Sequence, residues 1–200
     1  MSRPSLGPRG MAGLGLAAAL GLLAGLASSP VRNFLEASMA RHMLVQYPLL
    51  MLCGAWLAKQ TLVRHVPASS WNAHGITGLF GAALGLALLM IPRVLDLALV
   101  HPWVEVAKMT VLVVCGAAIY LSWQPAGWLV QGFFLGQVLP MMAVAGTLYE
   151  SSPTRVCNAY LLDDQVLLGQ FLVWIATVIA LVWLAALFRI LVQKSSVPAS

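Results

Sequence analysis

From Gln165 to Leu191 the chain reads QVLLGQFLVWIATVIALVWLAALFRIL, an apolar run whose only charge is Arg189. A crossing of the hydrocarbon layer takes about 20 mostly apolar residues, so this run is long enough to span a membrane. The whole chain agrees: 60% of its 200 residues are hydrophobic and only 8% are charged, against about 25% charged in soluble domains. The mean hydropathy is +0.89. Links between spans are short, so the length accommodates about six helices and leaves little for a soluble domain. The expected fold is therefore an all-α polytopic transmembrane bundle, with any chemistry lying in or at the membrane. The net charge of +5 does not point to nucleic acid, because the basic residues are scattered singly and flank apolar runs, as topology signals do.

Residues 1–10 form a polar segment with Arg3 and Arg9. The apolar run over 11–28 that follows fits a signal peptide or a first membrane helix, and a retained helix is favoured. The second span is expected over Ala40–Ala58 and the third over Asn72–Ile91, joined by the basic loop Thr61–Trp71. Arg93–Val100 is too short to cross and reads as a segment lying along the interface. The fourth span is Trp103–Ser122, the fifth Trp128–Leu148 with a kink at Pro140, and the sixth Gln165–Leu191. Residues 124–127 form a tight turn, and 193–200 a cytoplasmic tail. Arg3, Arg9, Lys59, Arg64, Arg189 and Lys194 fall on one side of this layout, against Arg32, Arg41, Arg93 and Arg155 on the other. The richer side should be the cytoplasm, which places both termini there. Glu36, Asp96, Glu150, Asp163 and Asp164 then collect on the outer face, with Glu105 about one turn below it.

Polar groups gather at that rim. Met39, His42, Met43 and Gln46 recur at i, i+3, i+4 and i+7 and share a helix face. Thioether with imidazole suits Cu(I), and imidazole can also hold haem iron; the plain alternative is packing against lipid. His101, Glu105, Lys108 and Met109 line a second face. Glu105 and Lys108 are three apart and can neutralise each other as a structural pair. Asp163, Asp164 and Gln165 open the sixth helix, where a carboxylate caps free N–H groups; one would suffice for that. Met141 and Met142 read mainly as packing, His65 and His74 as interfacial. Cys53, Cys115 and Cys157 lack CxxC spacing and do not suggest a disulfide framework. Phosphate-loop, serine-triad and HExxH patterns are missing, so nothing indicates hydrolytic or nucleotide chemistry.

Four stretches, ARHMLVQYPLLML (40–52), IPRVLDLALVHPWVEVAKMTVLV (91–113), LPMMAVAGTLYESSPTRVCNAY (139–160) and LLDDQVLLGQFLVWIA (161–176), together resemble the multi-span CtaG family of cytochrome c oxidase assembly proteins. Asp164, Gln165, Gly169 and Trp174 carry the most specific part. The chain departs from the family where histidine pairs four apart are expected: it keeps His42 but has Gln46 at the second position, and the later pair falls on Glu105 and Met109. The resemblance implies a bacterial inner-membrane, non-enzymatic assembly factor for a haem-copper cytochrome c oxidase. Its partners would be oxidase subunits, membrane lipids and a periplasmic copper donor. Delivery of Cu(I) at the outer rim would use His42, Met43, Glu105, Met109 and Asp164, with His101 and Asp163 as weaker candidates. Two other readings stay open: a metal-free scaffold for oxidase subunits, and a small b-type cytochrome with His42 and His101 as axial ligands.

Overall fold

The computed structural model describes residues 8–61, 72–157 and 159–195. Most of the basic loop with Arg64 and His65, the extreme N-terminus with Arg3, and residues 196–200 of the tail lie outside them. The described residues are helical, with no strand among them. Helix α1 spans Pro8–Ala27 and α2 spans Ser29–Glu36, restarted by Pro30 in its first turn; the two meet at 63°. Helix α3, Met39–Arg41, passes into a π-helical turn over His42–Gln46 and then into α4, Tyr47–Gln60. The widened turn has a local cause. Pro48 has no N–H to give the Leu44 carbonyl and its ring crowds that carbonyl, so the turn before it opens.

Helix α5, Ile76–Leu89, stops just before Pro92, where α6, Pro92–Val100, leaves at 73°. The bounds of α6 coincide with the short segment expected over Arg93–Val100. Carbonyls at the end of α5 lose their helical donors at this bend, and tyrosines supply replacements: Tyr47 donates to Leu89 O (3.4 Å) and Tyr149 to Met90 O (3.3 Å).

Helix α7, Pro102–Ser151, has 50 residues and would measure about 75 Å if straight, more than twice a hydrocarbon layer. Its backbone leaves helical geometry only at Gly127, with φ 59° and ψ 173°, a region open almost solely to glycine. The chain folds back there, because Gly116, Ile119 and Tyr120 line the same crevice as Leu135, Val138 and Leu139. The turn expected over 124–127 thus narrows to one residue, and the helix passes through Pro140 with helical backbone angles. Helix α8 runs over Leu162–Ser195.

Among the described residues, two helices, Pro102–Ser151 and Leu162–Gln193, are long and apolar enough to cross a membrane, and up to four spans result if each bent pair counts as one. Helices of this length and hydropathy mark a membrane protein. Helix α4 crosses the first half of α7 where Gly54 meets the backbone of Val113 and Gly116 meets that of Met51. Any side chain at either glycine would force these backbones apart. Helix α5 packs antiparallel to the first half of α7 (Gly78 at Ser122, Gly85 at Cys115), and α8 packs antiparallel to its second half (Gly146 at Gly169, Gly132 at Trp183). One core of Met39, Leu50, Leu95, Leu112 and Leu168 fills the end of the bundle where α2, α6 and the loop before α8 also converge.

Candidate functional site

At that end lies a buried polar cluster centred on Lys108, whose residue is only 1% exposed. The π turn places His42 and Gln46 side by side, both fully buried, toward the first half of α7. Glu105 and Lys108 project from that helix one turn apart, and Glu36 arrives from the last residue of α2. The Lys108 ammonium lies 2.6 Å from Glu105 Oε2, 2.7 Å from His42 Nε2, 3.2 Å from Gln46 Oε1 and 3.3 Å from Glu36 Oε1. Glu36 also accepts from Gln46 Nε2 at 3.3 Å and pairs with Arg32 at 3.7 Å. Two cations, Arg32 and Lys108, thus face two carboxylates, Glu36 and Glu105, and the group balances its charge.

An ammonium can only donate, so His42 Nε2 accepts from Lys108. The ring proton then sits on Nδ1 and is given to Tyr160 Oη at 2.6 Å. Tyr47 packs edge-on against the same imidazole, with ring centroids 5.6 Å apart. An ammonium has three protons for four close acceptors. Glu105 is left short: Oε2 touches the ammonium as an ion pair, but neither carboxylate oxygen has a directed hydrogen bond. Desolvating such ions costs several kcal/mol each, which close pairing offsets.

A second set of contacts holds the loop against the cluster. Gln165, buried in the first turn of α8, accepts the Val156 N–H at 2.7 Å and donates to Tyr149 O at 3.0 Å. Ser38 donates to Asp164 Oδ1 at 3.3 Å, tying the start of α3 to α8. Burial, and then the nearby Asp96 carboxylate, push the Cys157 thiol up to about 12, while burial also raises the Tyr160 phenol. Cys157 is accordingly a thiol at neutral pH.

Of the residues expected at an outer-rim site, His42 and Glu105 meet around Lys108. Met43 is buried but lines a crevice of about 510 Å³ with Tyr47, Met51, Met90 and Met142. Met109 packs half-buried against the main core. Asp164 is half-buried on Ser38, and Asp163 and His101 are exposed, as is His74. Glu105 and Lys108 do form the pair their spacing allows. Among the described residues, no group of three or more His, Cys, Asp or Glu is placed to hold a metal ion. The donors that do converge are one imidazole nitrogen and three oxygens around a built-in ammonium. That set does not fit a Cu(I) centre, which favours thioether, thiolate and imidazole.

Sequence reasoning missed Glu36 and Tyr160 as partners of His42 and Lys108. Gln46 carried a signal in its four-residue spacing from His42, and Tyr160 closes one of the four stretches of resemblance. Glu36 carried none. In comparisons with family models, curated proteins and solved structures, no match to this chain was found.

Proposed function

We propose that this protein is a non-enzymatic assembly factor for a haem-copper cytochrome c oxidase, working as a membrane-embedded scaffold at the outer face of a bacterial inner membrane. One observation carries the reading. The four stretches that resemble the CtaG family fall in three separated parts of the sequence, 40–52, 91–113 and 139–176, yet they supply most of the polar contacts at one end of the bundle: His42 and Gln46, Glu105 and Lys108, Tyr149 and Tyr160, and Asp164 and Gln165. Six spans with cytoplasmic termini are part of the proposal. The count follows if the helix broken at His42–Gln46 is one crossing, the two halves of α7 about Gly127 are two, each bent pair is one, and α8 is the last.

The scaffold form is favoured because Lys108 sits among the polar ligand candidates. The client would be an oxidase subunit held against the apolar helix faces, with the acidic rim beside it. Copper transfer from a periplasmic donor is the second reading, favoured by the methionines of the crevice that starts one residue from His42.

The test is to purify the protein from cells assembling the oxidase, and in parallel to delete it. Co-purification with an oxidase subunit, no bound copper, and loss of assembled oxidase on deletion are expected. Stoichiometric copper lost in Met43→Ala and Met142→Ala would favour transfer. Normal oxidase assembly after deletion would sink both.

A further inference from the structure

Four acceptor atoms from three separate segments converge on the single nitrogen of Lys108. Glu36 ends α2, His42 and Gln46 share the π turn, and Glu105 belongs to α7; Glu36 and Lys108 are 72 residues apart. A simple ion pair between Lys108 and Glu105 would need none of the others. The acceptors outnumber the ammonium protons, and the carboxylate of Glu105, 97% buried by its 3% exposure, keeps an oxygen with no partner. Such an acceptor-rich, enclosed arrangement is how a protein surrounds a cation. The imidazole is oriented by Tyr160 to offer its lone pair inward. The stem of the lysine is packed in the bundle, and the residue is only 1% exposed.

We infer that this cluster is a primary-ammonium site whose resident occupant is the side chain of Lys108, standing where the resemblance would lead one to seek copper. The ammonium satisfies through hydrogen bonds what a metal would satisfy by coordination, and it excludes a metal while it is there. Three contacts, to His42, Gln46 and Glu36 at 2.7–3.3 Å, are hydrogen bonds, and the fourth, to Glu105 at 2.6 Å, is an ion pair. The inference concerns the cluster alone and stands whether or not the client is an oxidase.

The experiment uses the full chain in detergent, with n-propylammonium chloride as the probe. Lys108→Ala removes a propylammonium unit from the cluster, so the free amine is the matching piece. Thermal unfolding of Lys108→Ala should shift upward saturably with n-propylammonium and not with equal sodium or tetramethylammonium chloride, as expected of a ligand that binds the folded state. Wild type and Lys108→Met, whose centre is filled, should not respond; nor should the double variant Lys108→Ala with His42→Ala. An equal response of Lys108→Ala to sodium and n-propylammonium would overturn the inference, as would Lys108→Met matching the stability of wild type. A Cu(I) titration of wild type against a competing chelator decides the matter if Lys108→Ala does not fold. No copper above a control membrane protein is expected, and about one tight Cu(I) per chain, lost in His42→Ala, would show that the metal displaces the lysine and overturn it.

Discussion

The two ends of α8 are built on different rules. Its first turns carry Gln165, Leu168 and Leu172, all buried, against Tyr149, the loop at Val156 and the cluster around His42. Beyond Ala176 it carries Leu181, Val182, Leu184 and Phe188, each more than half exposed, with Trp183 folded onto Gly132. Near the cluster each polar atom needs a named partner, because an unpaired one in a low-dielectric interior costs about as much as the hydrogen bond it lost. Along the exposed half, lipid tails solvate one apolar side chain as well as another, so hydropathy suffices. The difference separates a region that specifies geometry from a region that specifies only the medium.

Mutations should fall along the same gradient. Lys108→Ala leaves buried Glu105 and half-buried Glu36 without their central cation and should cost about 3–5 kcal/mol, the range for one broken partner of a buried ion pair. Unfolding in detergent by heat or denaturant measures it, and a loss under about 1 kcal/mol would erase the contrast between the two ends. Gly127→Ala puts a side chain at φ 59° and should cost about 1–3 kcal/mol. If it is neutral in the same assay, the reversal of α7 does not depend on that conformation. Tyr149→Phe removes the donor to Met90 O at the bend between α5 and α6, for about 1 kcal/mol. Leu184→Ala, on the lipid-facing half of α8, should stay within about 0.5 kcal/mol; a larger loss would mean that a partner or second copy covers that face. Alkylation gives an independent reading of the ordered end: Cys157, with its thiol raised to about 12, should resist a maleimide at pH 8 until the chain unfolds. Rapid labelling of native protein would show the loop to be open.

The legible part of the site followed from periodicity. Met39, His42, Met43 and Gln46 were placed on one face by spacing alone, and all four are buried. Glu105 and Lys108 were a visible pair at three residues' separation, and they touch. The same reasoning grouped His101 with them, yet His101 precedes the first turn of α7 in extended conformation, φ −111° and ψ 114°, and stays exposed. Spacing assumes a helix already under way, and the helix starts one residue later. The widened turn at His42–Gln46 was not foreseen either, although Pro48 beside it was in plain view; whether a proline opens the turn before it or kinks the helix depends on the neighbours it packs against.

By itself the sequence determined the medium and the elements: helices long and apolar enough for a membrane, their breaks at Pro92 and near Gly127, and the helix faces that gather polar residues. These are local properties, set by side-chain hydropathy, backbone conformational limits and the 3.6-residue repeat. Only the tertiary structure decided what the polar faces meet. Glu36 reaches Lys108 across 72 residues and Tyr160 reaches His42 across 118, and no periodicity encodes such pairings. They arise because the glycines at 54 and 116 let two helices cross closely, with His42 and Gln46 opposite Lys108. A buried charge then takes whichever acceptors that crossing brings within reach.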